Sequence, residues 1–186
     1  MFTILKMLRT AKGQPEQGAV AMLGIKPGDR VLLLGAGRPD LAGAIGAVTG
    51  LNGQTTVVDR EPGAEDRIAT AAANAGALVD FVPAPIAMLP TDSQTFDMAV
   101  LPAGLAALGT DAPSVLAEAI RVVRPGGRIT ICEPLPRQGL FRLAQTAPLT
   151  DPRDVVARLT AAGLRAARHL GSLDGTAYFE AARPRQ

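Results

Sequence analysis

Short apolar runs alternate with helical stretches along most of the chain, and this alternation limits the fold more than any other feature. Val31 to Leu34 reads as a strand, followed by a glycine turn, Gly35 to Pro39, and the helical stretch "DLAGAIGAVTG", which Asp40 is expected to cap. "TTVVD" is a second strand ending in Asp59, and a helix follows from about Pro62 to a natural stop at Gly76. "LVDFV" and "FDMAVL" are a third and a fourth strand. "APSVLAEAIRVV" is an amphipathic helix, broken by a turn at "RPGG" before the strand "RITICE". Most of these strands are apolar on both faces, as in a parallel sheet covered by helices on either side. The tail differs. "DPRDVVARLTAAGL" is a helix starting at a good capping site, and "RAARHLGS" and "GTAYFEAAR" flank the turn "LDG" as an antiparallel pair. The stretch without clear periodicity is Pro134 to Thr150, after a strand end where open α/β sheets bind ligands.

The 186 residues are 47% hydrophobic, enough for one domain with a full core. A leading helical segment is expected over residues 1–24 and a single domain over residues 25–184. Aromatic residues make up 3% and the basic residues are scattered, which argues against nucleic-acid binding. With one cysteine, Cys132, and one histidine, His169, a disulfide within the chain is impossible and a Cys/His metal site is not expected. Cys132 reads as a buried strand residue and His169 as a surface or half-buried one. No stretch reaches the ~20 apolar residues of a membrane span, and Lys6 interrupts the apolar start as a signal peptide would not. Cytoplasmic location is therefore the default expectation. Phe2, Ile4, Leu5 and Leu8 share one helical face, with Lys6, Arg9 and Lys12 around it. This helix is expected to pack on the domain; the alternative is docking to a protein partner or a membrane surface through residues 1–12.

The glycine turn in "VLLLGAGRPD" admits two cofactor readings. The dinucleotide fingerprint G-x-G-x-x-G would need glycine where Asp40 stands. A carboxylate there also opposes a pyrophosphate at the helix start, so Asp40 argues against NAD.

The second reading comes from a resemblance. From about Ile25 to Pro184 the motifs "GIKPGDRVLLLGAG", "TTVVDRE", "LPTDSQTFDMAV", "EAIRVVRPGGRITICEP" and "LTAAGLRAARHLG" follow in the order found in class I S-adenosylmethionine-dependent methyltransferases. The chain resembles most the small-molecule branch that includes the ubiquinone/menaquinone type. The resemblance implies a Rossmann-like α/β fold with a seven-stranded, mostly parallel sheet and an antiparallel last strand. It implies S-adenosylmethionine as cofactor and a small-molecule acceptor. Gly35, Ala36 and Gly37 would let the backbone approach the methionine part, and Asp59 would accept from the ribose hydroxyls. Arg60 and Glu61 would lie beside the adenine, Ile86 and Ala87 would flank the ring, and Leu101 and Pro102 would face the methyl donor.

Three positions depart from the family pattern. Leu33 stands where an acid usually ends the first strand, Pro39 replaces the third glycine of the turn, and Pro85 aligns with an acid that faces the adenine amine. A hydrogen bond to a charged group is worth roughly 1.5–3 kcal/mol, so both missing acids point to weak cofactor binding. Methyl transfer from a sulfonium needs alignment above all. Glu133, at the fifth strand's end, is the best-placed candidate base, its alternative role being a solvent-facing strand-end acid. Asp97 is expected to hold its strand start. The rival function is a non-catalytic methyltransferase-fold subunit or scaffold, which a fold by itself does not exclude.

Overall fold

The computed structural model describes residues 16–135 and 151–185. The expected contacts of residues 1–12, and the aperiodic stretch from residue 136 onward, lie outside them. The strands are β1 (Arg30–Leu34), β2 (Gln54–Asp59), β3 (Asp80–Pro83), β4 (Phe96–Leu101), β5 (Val123–Pro134), β6 (Arg165–Leu173) and β7 (Thr176–Ala182). They form a seven-stranded sheet in the order β3-β2-β1-β4-β5-β7-β6. β1 to β5 pair in parallel, and β7 runs antiparallel between β5 and β6, as the motif order implies. The β6–β7 hairpin turns through Asp174 (φ 48°) and Gly175 (φ 74°), two left-handed residues, which is the turn that matches strand twist.

Helices α1 (Gln17–Leu23), α2 (Pro39–Thr49) and α3 (Ala64–Ala75) cover one face, and α4 (Ala112–Val122) and α5 (Pro152–Ala161) the other. A 3-10 helix, Ala106–Asp111, leads into α4. The alternation within β1 shows why its run is continuously apolar. Leu32 and Leu34 enter the core beneath α4 and α5, while Val31 and Leu33 enter the core beneath α1 to α3. α1 buries Ala19, Val20 and Leu23 against the second core. α3 ends, as expected, at Gly76, whose φ of 64° suits a residue without Cβ. Asp151 caps α5 by accepting from Arg153 N at 2.8 Å.

Two local expectations are corrected. Asp40 does not cap α2: Pro39 occupies the first turn, Arg38 is the N-cap residue, and Asp40 falls one step inside. Proline's fixed φ suits the first helical position and starts the helix early, and an acid in the first turn still faces the positive helix end. "RPGG" is not a free turn either, because β5 runs from Val123 through it. Gly126 N donates to Arg183 O at 3.0 Å and Arg183 N to Gly127 O at 2.9 Å, so the chain's tail draws these glycines into the ladder.

Candidate functional site

β1 lies between β2 and β4, so the loops after β1 and β4 diverge to opposite sides at their carboxyl ends. That reversal opens the crevice in which such sheets take ligands. Gly35 turns the chain with φ 106°, a conformation that disfavours any side chain, and its N–H donates to Val58 O at 2.9 Å. Ala36 N donates to Asp59 Oδ2 at 2.7 Å, and Glu61 N donates to Asp59 Oδ1 at 2.8 Å. Asp59 thus holds the glycine turn and its own following loop. A Cβ on Gly37 would meet nothing nearer than Ala103 Cβ at 4.0 Å, so this glycine leaves space open between the β1 and β4 loops.

The loop after β3 starts where Ala84 N donates to Asp59 O at 3.2 Å. A turn closed by Met88 N donating to Pro85 O at 3.1 Å carries Ile86 and Ala87, both half-buried against the core. Gly35, Ala36, Gly37, Asp59, Ile86 and Ala87 therefore meet at one end of the sheet, with Arg60 exposed beside them. The side chain of Leu101 is core, at 1% exposure, packed with Leu32, Leu34 and the α4 face. Leu33, also 1% exposed, lies in the opposite core.

Glu133 is corrected as a solvent-facing acid. It is 3% exposed, and its carboxylate accepts from Leu105 N at 2.7 Å and Ala106 N at 3.3 Å. These donors sit at the start of the 3-10 helix, so the side chain caps it. The fit is tight, since a Cβ on Gly104 (φ 79°) would stand 2.5 Å from Glu133 Oε2. A carboxylate so engaged is poorly placed to take a substrate proton.

Arg38, beside the glycines, makes an ion pair with Glu16 just before α1. Burial is the largest single influence and opposes the guanidinium charge, but the hydrogen bonds to Glu16 and Tyr178 together with the Glu16 charge outweigh it and raise the Arg38 pKa. Cys132 is buried, and burial pushes its thiol up to about 12, which leaves no nucleophile. His169 is exposed on β6 against the Phe179 ring, centroids 4.9 Å apart. Asp97 does hold its strand start, accepting from Arg30 N at 2.8 Å and from Arg124. No His/Cys/Asp/Glu group among the described residues could hold a metal, and no helix among them is long and apolar enough to cross a membrane. A separate apolar cavity of about 560 Å³ lies between α4 and α5, lined by Leu116, Ile120 and Ala161, away from the glycine turn.

Sequence reasoning missed one group. Glu118 and Arg121 on α4 reach across to the backbone of Leu89 in the β3–β4 loop. Their spacing in the sequence signals a pair on one helix face, but nothing in it names the loop they hold.

Comparison with known proteins places this arrangement. Residues 31–127, just over half of the chain, match the family model of the methyltransferase domain. The chain is 36% identical over 119 residues to a 2-phytyl-1,4-naphtoquinone methyltransferase of Synechococcus elongatus, covering 62% of this chain and 50% of that one. It is 31% identical over 116 residues to a ubiquinone/menaquinone biosynthesis C-methyltransferase of Teredinibacter turnerae, covering 61% and 46%. The chain thus spans about half the length of the curated relatives it matches. Among solved structures, a SAM-dependent methyltransferase from Aquifex aeolicus superposes with a TM-score of 0.71 at 18% identity, covering 90% of this chain and 88% of that one.

Proposed function

The chain belongs to the methyltransferase domain family, and from that premise we propose that it is an S-adenosylmethionine-dependent methyltransferase acting on a small molecule. One observation carries the reading. Asp59 stands at the end of β2 with its carboxylate fixed by Ala36 N and Glu61 N, beside the open space over Gly37. Each carboxylate oxygen has two acceptor sites, so one on each remains for a ribose hydroxyl. The residues present fit a nucleoside cofactor on that ground.

S-adenosylmethionine, when bound, supplies a methyl group already made electrophilic by the sulfonium. The chain's contribution is then alignment. Gly35 and Gly37 give the ligand access to backbone, and Ile86 and Ala87 offer apolar surface to a flat ring. Glu133 fixes the loop after β4 and serves as no base. The described residues of the site therefore suit an acceptor whose reacting atom gives up its proton without help from a side chain. The names of the matched relatives support a small, ring-bearing acceptor of the quinone class.

Leu33 places no acceptor beneath the methionine end, and Pro85 places none beside the ring. We infer that affinity is lower than in a relative carrying both acids. Titration calorimetry with S-adenosylmethionine, S-adenosylhomocysteine and NAD tests the reading. Heat with the first two and none with NAD is the expected result. A ligand confined to the folded state also adds about 2.7 kcal/mol of stability at a hundredfold excess over Kd, so a melting scan gives a second readout. Neither heat nor thermal shift at millimolar S-adenosylhomocysteine would leave the methyltransferase-fold subunit or scaffold as the reading.

A further inference from the structure

The loop from β3 to β4 is fastened to α4 by a single ion pair. Arg121 donates Nε to Glu118 Oε1 at 2.7 Å and Nη2 to Glu118 Oε2 at 2.8 Å, a two-bond fork. The same carboxylate accepts from Leu89 N at 2.7 Å, and the same guanidinium donates to Leu89 O at 3.1 Å and to Thr91 O at 2.8 Å. Both backbone polar groups of Leu89 thus end on one ion pair. Leu89 is 6% exposed, so water is a poor substitute for those bonds. Gln94 N donates to Arg121 O at 3.0 Å and adds a further tie.

The other end of the loop is tied as well, by Ala84 N donating to Asp59 O at 3.2 Å. Between the two ties lies the turn Pro85–Met88 with Ile86 and Ala87. The turn is therefore held at one end by the residue assigned above to the ribose and at the other by α4. We propose that Glu118 and Arg121 are positioning residues of the ligand site. They set the distance from Asp59 to Ile86 and Ala87, so that a nucleoside base meets apolar surface already in place. This inference rests on the cofactor reading. Its physical basis is that a loop ordered before binding incurs no ordering entropy on binding. Such preorganisation matters most here, where Pro85 supplies no charged side chain to the base.

The test compares wild type with Arg121→Met, Arg121→Lys and Glu118→Gln. Titration with S-adenosylhomocysteine and with adenosine reads the site, and amide exchange reads the loop. Arg128→Met is the control: it breaks the Arg128–Glu180 pair on β5 and β7, remote from the loop. Arg121→Met is expected to lower affinity for both probes about tenfold, or ~1.4 kcal/mol, with faster exchange confined to residues 84–94. Arg121→Lys, which keeps the charge but not the fork, should recover part of the affinity. Arg128→Met should lower the melting temperature and leave both affinities unchanged. A wild type that binds neither probe overturns the cofactor reading itself. A wild type that binds both, with Arg121→Met binding equally well despite faster loop exchange, overturns the positioning role alone. Equal losses in Arg121→Met and Arg128→Met would reduce the pair to general stability and also overturn it.

Discussion

The backbone N–H of Ala36 donates to Oδ2 of Asp59 at 2.7 Å, tying the turn after β1 to the end of β2. The loops after β3 and β4 are tied the same way, by Leu89 N to Glu118 and by Leu105 N to Glu133, each at 2.7 Å. Three loops around the crevice are thus each fastened by a carboxylate from a neighbouring element. Bonds of this charge-assisted kind are worth roughly 1.5–3 kcal/mol, which is enough to fix loop geometry before any ligand arrives.

Asp59→Ala removes the tie to Ala36 and the ribose acceptor together. S-adenosylhomocysteine affinity should fall by ~1.5–3 kcal/mol in titration calorimetry. Asp59→Asn keeps one carbonyl acceptor and should lose less. An unchanged dissociation constant in the alanine variant would take Asp59 out of the site.

Glu133→Ala leaves Leu105 N buried without an acceptor, at a cost of ~1–3 kcal/mol in urea unfolding. Gly104→Ala forces a side chain into φ 79° and sets its Cβ 2.5 Å from Glu133 Oε2. Part of that strain should vanish when Glu133 is already alanine. A double-mutant cycle should therefore show coupling of roughly 0.5–3 kcal/mol; additive losses would mean that the loop shifts freely away from the carboxylate.

Leu33→Asp has two opposed consequences. The leucine is 1% exposed in the core under α1 to α3, so losing its packing should cost ~2–5 kcal/mol of stability. An acid at this strand end should at the same time tighten S-adenosylmethionine binding. Thermal melts with and without ligand separate the effects: a lower melting temperature for the free protein and a larger ligand-induced rise. If the rise does not grow, β1 is out of register with the family motif.

Acid should weaken the α4 ion pair. Hydrogen bonding to Arg121 is the leading cause that holds the Glu118 carboxyl below 4.5; burial opposes it, and the Leu89 N–H adds to it. A carboxylate whose folded pKa lies below the unfolded value stabilises the protein above that unfolded value. The contribution is lost as pH falls through the lowered folded value. The stability gap between wild type and Glu118→Gln should accordingly be full at neutral pH and close below about pH 4.5. A gap that persists undiminished in strong acid would show that the pair contributes nothing through its charge.

The sequence by itself determined the strands and their order of use. Val31 to Leu34 and "FDMAVL" are apolar on both faces because helices cover both, and that pattern is local enough to read directly. Asp174 and Gly175 fixed the antiparallel hairpin through backbone preference alone. Gly35 and Asp59 were legible as candidate ligand residues because their positions follow from where two strands end. Only the tertiary structure decided where the longer polar side chains go. Glu133 read as a candidate base or a solvent-facing acid and instead caps the 3-10 helix, because β4 and β5 lie side by side and bring Leu105 N within its reach. Around Glu118 and Arg121 the sequence shows only an amphipathic helix, and the packing of α4 on the sheet is what aims that pair at Leu89. Leu33 read as a missing acid and proved to be core as well. Periodicity assigns a residue to a face of its own element; which backbone that face meets depends on how the elements pack, and no local pattern records that.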